Sequence, residues 1–474
     1  MRWQRLLPTR VALGALTLGL VIAAAACGGG GGGGTTAPAT SAAPPASTGA
    51  TEAPATSGAT ETTAGASFES RCGDGKTGQA ASGQPIKIGT IYSNAHGIDF
   101  SSAANAAEAF FNCVNANGGI HGRPVQFLRF NDQLDPATAG AGAAKLISTD
   151  HVVALVANTS FVDCAVNGKT YQQDGYNIIY GVGIPFQCFQ SPPFAATNEG
   201  PRYSGMGAAQ YAVTQLGAKK LSVVTCNIPN VGDYTLTGIQ DYARQAGVGY
   251  SGFTEDCPVK DPNSVAVRVA NAAGPDGAVV LVMPVSEDVP VLNAADAAGV
   301  ASTTKWTCAT PCNDLSFPGA VSDYWKNGTI FVNSELNLVD STGPDNQMWL
   351  QVMDKYGKPS DHRDNFSQAG FLAAKILTDT MEKLDASQLD SVSAVNQAIA
   401  QVKNYKSDLE CLLWYYGPGP NHVPNNADKT VTLKGDKFVE AQGCTLAPAA
   451  DDILPAVRQQ EKQLGLNTGP PSNG

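Results

Sequence analysis

From Asn105 to Ser160 the chain switches structural grammar repeatedly, with only a few residues between one element and the next. An alanine-rich run at helical spacing, 103–116, stops at Gly118-Gly119, and glycine suits a helix end because it tolerates left-handed backbone. An apolar stretch, 125–131, then predicts a strand that closes in the acidic turn Asn131-Asp132. Asp135-Pro136 reads as an N-cap followed by proline at the first helical position, where its missing N–H costs nothing. A second strand, 152–157, ends in Asn158-Thr159-Ser160. Such hand-overs predict an α/β fold with an open, mostly parallel, doubly wound sheet. Ligands of such sheets bind outside the carboxyl ends of the strands.

The alternation continues. Strands are expected at 86–92, 177–181, 220–226, 249–255, 277–283, 305–308 and 329–334. Helices are expected at 202–216, 232–246, 262–273, 288–298, 346–356, 366–384 and 391–403. After Ser407 the pattern changes to short strands at 412–416, 429–433 and 437–440, separated by Gly417-Pro-Gly-Pro and Asn425-Asn426, which mark loops. The foldable region, 72–447, is too long for one simple core and suits two lobes.

The ends of the chain read differently. Arg2, Arg5 and Arg10 precede an apolar, alanine-rich run that stops at Ala24-Ala25-Ala26-Cys27. This is the layout of a signal peptide, 1–26, and Cys27 at the following position resembles the lipid acceptor of bacterial lipoproteins. Residues 27–67 hold little beyond Gly, Ala, Thr, Ser and Pro. They are expected to form a disordered tether with a reach of roughly 35 Å by random-coil scaling. The tail, 448–474, is expected to carry a short helix before its Gly-Pro-Pro segment.

The formal net charge is −11, and no basic patch marks a nucleic-acid partner. Setting Cys27 aside, an even set of cysteines remains, which in an exported chain suggests disulfides. Spacing alone leaves many connectivities open. Sequential pairing is the expected one, because each pair then falls within one supersecondary unit: Cys72–Cys113, Cys164–Cys188, Cys226–Cys257, Cys308–Cys312 and Cys411–Cys444. Cys308 and Cys312 could also suggest a metal site, but no second close pair and no histidine cluster accompany them, so neither metal nor cofactor is expected.

The ordered set of motifs resembles the branched-chain amino-acid-binding (leucine-binding protein) family of type I solute-binding proteins. The resemblance is carried by Ile86-Lys-Ile-Gly, Asn115-Ala-Asn-Gly-Gly-Ile-His-Gly-Arg123, Asn131-Asp132-Gln-Leu-Asp135-Pro136 and Ala144-Lys-Leu146. It continues in Leu216-Gly-Ala-Lys-Lys-Leu-Ser-Val-Val224 and Gly274-Pro-Asp-Gly-Ala-Val279. It implies two lobes joined by three hinge crossings, with lobe 1 at 84–193 plus 285–425 and lobe 2 at 194–284 plus 426–447. It further implies a monomer held at the membrane by its lipid, outside the cytoplasm. Such a protein captures a small polar metabolite by hinge closure and delivers it to the permease and ATPase subunits of an ABC importer.

The resemblance also places the ligand. Asn158, Thr159, Ser160 and Phe161 stand where the family holds a ligand carboxylate at a helix N-terminus; the alternative role for Thr159 and Ser160 is plain helix capping. Gly183 and Ile184 follow the fourth strand. Asn94, His96, Asp99 and Phe100 belong to the loop after the first strand, which is less rich in Thr, Gly and Pro than the family's. From lobe 2, the loop 227–234, with Asn230 and Tyr234, stands at the family's Tyr-Gly position; Val231 takes the place of the usual aromatic lid residue, for which Tyr234 is the candidate substitute, and Pro284 lies near a hinge. An enzyme is not expected: G-x-S-x-G, H-E-x-x-H and P-loop motifs are missing, and the histidines are scattered. A membrane-anchored sensor or adhesion receptor on the same fold is the rival, with a secreted hydrolase behind it.

Overall fold

The structure, a computed structural model, describes residues 67–95 and 97–467. The expected signal peptide, Cys27, the tether up to residue 66, His96 and the last residues of the tail lie outside the described residues. Among the described residues no helix is long and apolar enough to cross a membrane.

Two parallel sheets organise the chain. In the first, the strands run Val125–Asn131, Ile86–Tyr92, Ala154–Leu155, with Ile86 opposite Val125 and Ile88 opposite Ala154. A parallel bridge between Val156 and Ile179 extends this order to Ile178–Tyr180 and then Phe194–Ala196. The second sheet has seven strands, in the order Lys437–Leu446, Ala427–Lys434, Asn327–Ser334, Lys305–Cys308, Ala278–Val282, Lys220–Cys226, Gly249–Glu255. Its last two strands in the chain form an antiparallel hairpin on one edge. In both sheets the second strand along the chain sits outside the first, and the third returns to its other side. Each sheet therefore has a switch point at its first strand, where neighbouring loops diverge and leave a crevice.

The expected division into lobes needs correction. Lys305–Cys308 and Asn327–Ser334 were expected in lobe 1, yet they pair with Ala278–Val282 and with each other in the second sheet. The helix–strand alternation runs unbroken past residue 285, and a parallel sheet grows for as long as it does. The chain leaves this sheet only where Asn327–Ser334 is followed by a polar, non-helical segment. Phe194–Ala196, expected at the start of lobe 2, instead pairs with Ile178–Tyr180 at the edge of the first sheet. It is too short to show any periodicity. The stretch 412–416 is not a strand. Trp414 makes an isolated bridge with Tyr405, and its indole N–H donates to the Ala196 carbonyl at 3.0 Å. The chain passes between the sheets three times, near 197–199, 335–343 and 422–426.

Helix Ser102–Ala116 packs on Asn365–Met381 at very close range. A Cβ on Gly370 would stand 2.0 Å from the Ala103 carbonyl oxygen, so glycine is required there. Phe110 and Phe371 meet edge to face nearby, with ring centroids 5.2 Å apart. Asp135 caps Pro136–Ala144 through the Thr138 N–H, as the Asp-Pro pair predicts, and the tail carries the helix Ile453–Leu464. All five expected disulfides are present: Cys72–Cys113, Cys164–Cys188, Cys226–Cys257, Cys308–Cys312 and Cys411–Cys444.

Candidate functional site

The switch-point loops of the two sheets line a single narrow cavity of about 60 Å³. Phe100 follows the first strand of the first sheet and Phe161 follows the third. The second sheet contributes Ile228 and Val231 after its first strand, and Met283 and Pro284 after its third. Phe100, Phe161 and Phe366 form an aromatic wall. The Phe100 ring lies 4.7 Å from Phe161, edge to face, and 5.4 Å from Phe366. Val182, Ile184 and Val231 pack into the same apolar cluster.

Polar side chains enter this lining at Asn198, Ser204, Thr225, Thr310 and Glu335. Ser204 and Thr310 share a hydroxyl–hydroxyl hydrogen bond of 2.8 Å, and Ser204 also donates to Asn333 at 3.0 Å. The Glu335 N–H donates to the Thr310 hydroxyl at 3.2 Å. Glu335 Oε2 accepts the N–H groups of Glu199 and Gly200, 3.2 Å each. Its carboxylate thus caps the helix Gly200–Thr214. Burial pushes the Glu335 carboxyl up to about 7, although these two N–H donors hold it down.

Glu335 follows directly on Asn327–Ser334 at the second crossing, with Glu199 at the first crossing and Asp428 at the third. All three carboxyls are buried, and burial raises the pKa of each. Among the described residues, both Glu199 carboxyl oxygens and Asp428 Oδ2 lack a hydrogen-bond partner.

The loop that carried the expected carboxylate seat is built otherwise. Asn158, Thr159 and Ser160 are fully buried and are not among the cavity's lining residues. The Ser160 hydroxyl donates to Asp132 and accepts the N–H groups of Val162 at 3.0 Å and Asp163 at 2.9 Å. The Phe161 N–H donates to Ser93 Oγ at 3.2 Å, and Ser93 donates to Asp132 at 2.8 Å. Asn158 donates to Asp163 at 2.9 Å. Asp163 also accepts from Tyr171, Asn167 and Tyr180. The polar groups that the resemblance assigns to a ligand are therefore engaged within the protein. Burial raises the pKa of both Asp132 and Asp163.

Of the other expected contacts, Phe100, Phe161, Gly183, Ile184 and Pro284 do line the cavity. Asn94 is pinned to the adjacent strand by paired hydrogen bonds with Asn131, 2.9 Å each. Asp99 lines a second opening, shared with Phe100, Pro284 and Phe366 and flanked by His362 and Asp364. His362 stands 3.1 Å from the Asp314 carboxylate, which pushes its imidazole up to about 9. Tyr234 lies outside the cavity lining, packed 5.8 Å from the Phe186 ring and 4.7 Å from the Arg202 guanidinium. The Asn230 carbonyl accepts the Phe186 N–H at 3.4 Å. Together these two residues latch the lobes beside the cavity, and Val231 takes the lining position.

Glu335, Ser204, Thr310 and Phe366 escaped the sequence reading. The legible signal was the acid immediately after the apolar strand ending Val332-Asn-Ser334, where a carboxylate has no reason to be buried unless the fold places it there.

Facing switch points around one cavity, joined by three crossings, define a two-lobed binding protein of the type I fold. Residues 85–427 match the family model described as periplasmic binding protein, and the chain belongs to that family. No curated protein matches significantly. Among solved structures, a branched-chain amino acid ABC transporter protein of Thermus thermophilus with bound valine is 14% identical, covering 79% of this chain and 100% of its own, at a TM-score of 0.64. A solute-binding protein of R. palustris in complex with benzoate is 17% identical over 78% of this chain and 99% of its own, at 0.63. A fatty acid ABC transporter substrate-binding protein of Thermomonospora curvata is 15% identical over 80% and 97%, also at 0.63.

Proposed function

We propose that the chain is the extracytoplasmic solute-binding component of an ABC importer, lipidated at Cys27, that closes its two lobes on one small ligand with a largely apolar body. The observation that carries the ligand assignment is the lining itself. Aromatic and aliphatic side chains from both lobes meet in one cavity with a few polar groups on one side, the usual build of a small-molecule site. The sequence alone favoured a small polar metabolite. The hydrogen-bonded closure of the 158–163 loop and the Phe100, Phe161 and Phe366 wall favour an apolar one instead. Relatives named for benzoate and for fatty acids are in keeping with that choice.

The test is a thermal-shift screen of the protein against amino acids, sugars and compounds with an aromatic or short aliphatic body. Ligand bound only by the native state adds about 2.7 kcal/mol of stability at 100 times its Kd. The expected result is a shift from apolar-bodied compounds, with a smaller scattering radius on binding. A shift confined to sugars or to small polar amino acids would sink the reading.

A further inference from the structure

We infer that Asp314, His362 and Asp364 form a binding site for a divalent metal ion of the zinc type, which clasps the two lobes together at the rim of the cleft. None of the three lines the central cavity, so the inference stands whatever that cavity binds.

The three residues come from different lobes. Asp314 lies between the strands Lys305–Cys308 and Asn327–Ser334 of the second sheet. His362 and Asp364 immediately precede the helix Asn365–Met381, which packs on Ser102–Ala116 in the first lobe. The two segments meet in an isolated antiparallel bridge between Asp314 and Asp364. The Leu315 N–H donates to the Arg363 carbonyl at 3.0 Å, and the Asn365 N–H to the Asn313 carbonyl at 3.2 Å. These bonds flank the bridge, so Asp314 and Asp364 form the non-hydrogen-bonded kind of pair, in which facing side chains stand closest. Like charges placed directly opposite each other in this way are destabilising.

His362 joins them from two residues before Asp364, with its Nδ1 at 3.1 Å from Asp314 Oδ2. Arg363, between them in sequence, sends its guanidinium elsewhere, to the carbonyls of Asp361 at 2.5 Å and Met353 at 3.0 Å and to Asp354 at 3.1 Å. One ligand atom from each of Asp314, His362 and Asp364 lies within 4.8 Å of the other two. The 3.1 Å between His362 and Asp314 is near the edge of a tetrahedron, roughly 3.3 Å for metal bonds of about 2.0–2.1 Å.

The other carboxylate oxygens are tied down. Asp314 Oδ1 accepts the Ser316 N–H at 2.7 Å. Asp364 Oδ1 accepts the Ser102 hydroxyl at 2.5 Å and the Ser367 N–H at 2.7 Å. Such outer partners orient metal ligands. Asp364 Oδ2, by contrast, has no hydrogen-bond partner among the described residues. Asp314 is buried and His362 is half-exposed, so the site is walled on one side and reached from the other. His362 and Asp364 line the second opening, and His362 and Asp314 line an outer groove that also carries Asp354 and Asp361.

An imidazole beside two carboxylates suits zinc, whereas calcium and magnesium favour oxygen ligands alone. An ion held by all three side chains binds only when the lobes bring Asp314 to His362 and Asp364, and it therefore favours the closed arrangement.

The test is calorimetric titration of zinc chloride into untagged protein that has been stripped with EDTA and dialysed. The expected result is one zinc ion bound per chain, without competition from calcium or magnesium. His362→Ala and Asp364→Asn should each weaken zinc binding by at least about tenfold, since even an outer partner of a ligand is worth that much. Asparagine preserves the helix cap and His362 is half-exposed, so both variants should fold. The scattering radius should be smaller in zinc than in EDTA, and that difference should vanish in His362→Ala. No zinc binding by the unaltered protein, or binding unchanged in both variants, overturns the site. Zinc that binds without changing the radius overturns the clasp.

Discussion

Two polar regions flank the same cleft and are built on opposite terms. In the 158–163 loop, the Ser93 and Ser160 hydroxyls and the Asn158 amide meet the helix N–H groups and the two buried aspartates Asp132 and Asp163. At the crossings, Glu199, Glu335 and Asp428 are equally buried, yet among the described residues several of their oxygens lack partners. A satisfied buried network rigidifies a fold, while an unsatisfied buried carboxylate costs stability and is retained where something else uses it. The first region is a structural brace that supports the cavity wall. The second brings to the cavity its one ionisable lining side chain among the described residues, Glu335.

The largest expected effect separates the two regions by pH. The folded-state pKa of Glu335 is raised from 4.5 to about 7. Its contribution to stability is therefore fully present below the unfolded value and is lost as pH rises through about 7. Neutral Glu335→Gln should melt higher than the native protein at about pH 8, by up to an amount on the order of 3 kcal/mol. The gap should close by about pH 4.5, and denaturant titration at the two pH values checks it. A gap that widens on acidification would contradict the assignment. Ser160→Ala removes the acceptor for two N–H groups and the donor to Asp132, so it should destabilise the fold by about 1–3 kcal/mol. Ligand affinity should stay within roughly twofold, as calorimetry on the folded fraction would show. Smaller again is Phe366→Ala, which should weaken an apolar ligand by about 1–2 kcal/mol, since the ring loses contact area and no polar partner.

The frame of this comparison was legible in the sequence, and its functional half was not. Gly118-Gly119, Asp135-Pro136 and the apolar strands announce a doubly wound sheet through local propensity, and the cysteines pair as sequence neighbours because each pair closes one supersecondary unit. Phe100, Phe161, Ile184 and Pro284 could be placed in the cleft through the family resemblance, which assigns the loops that carry them to the ligand site or its hinge. Glu335, Thr310 and Ser204 could not, since the crossings and the hinge-side helix bring them together from positions far apart in the chain. Thr159 and Ser160 misled for a physical reason: a helix N-terminus attracts hydroxyls whether they serve a ligand or the helix itself, and the choice depends on Ser93 and Asp132, tens of residues upstream. The lobe boundary near residue 285 misled because nothing local marks the point where a growing parallel sheet stops.

The central claim is that recognition lies on the crossing side of the cleft and bracing on the loop side. Titrating the apolar-bodied compound that gives the largest thermal shift into the native protein, Ser160→Ala and Glu335→Gln at about pH 8 tests it directly. The account predicts native-like affinity in Ser160→Ala and a loss of roughly tenfold or more in Glu335→Gln. Loss of binding in Ser160→Ala with full retention in Glu335→Gln would contradict it.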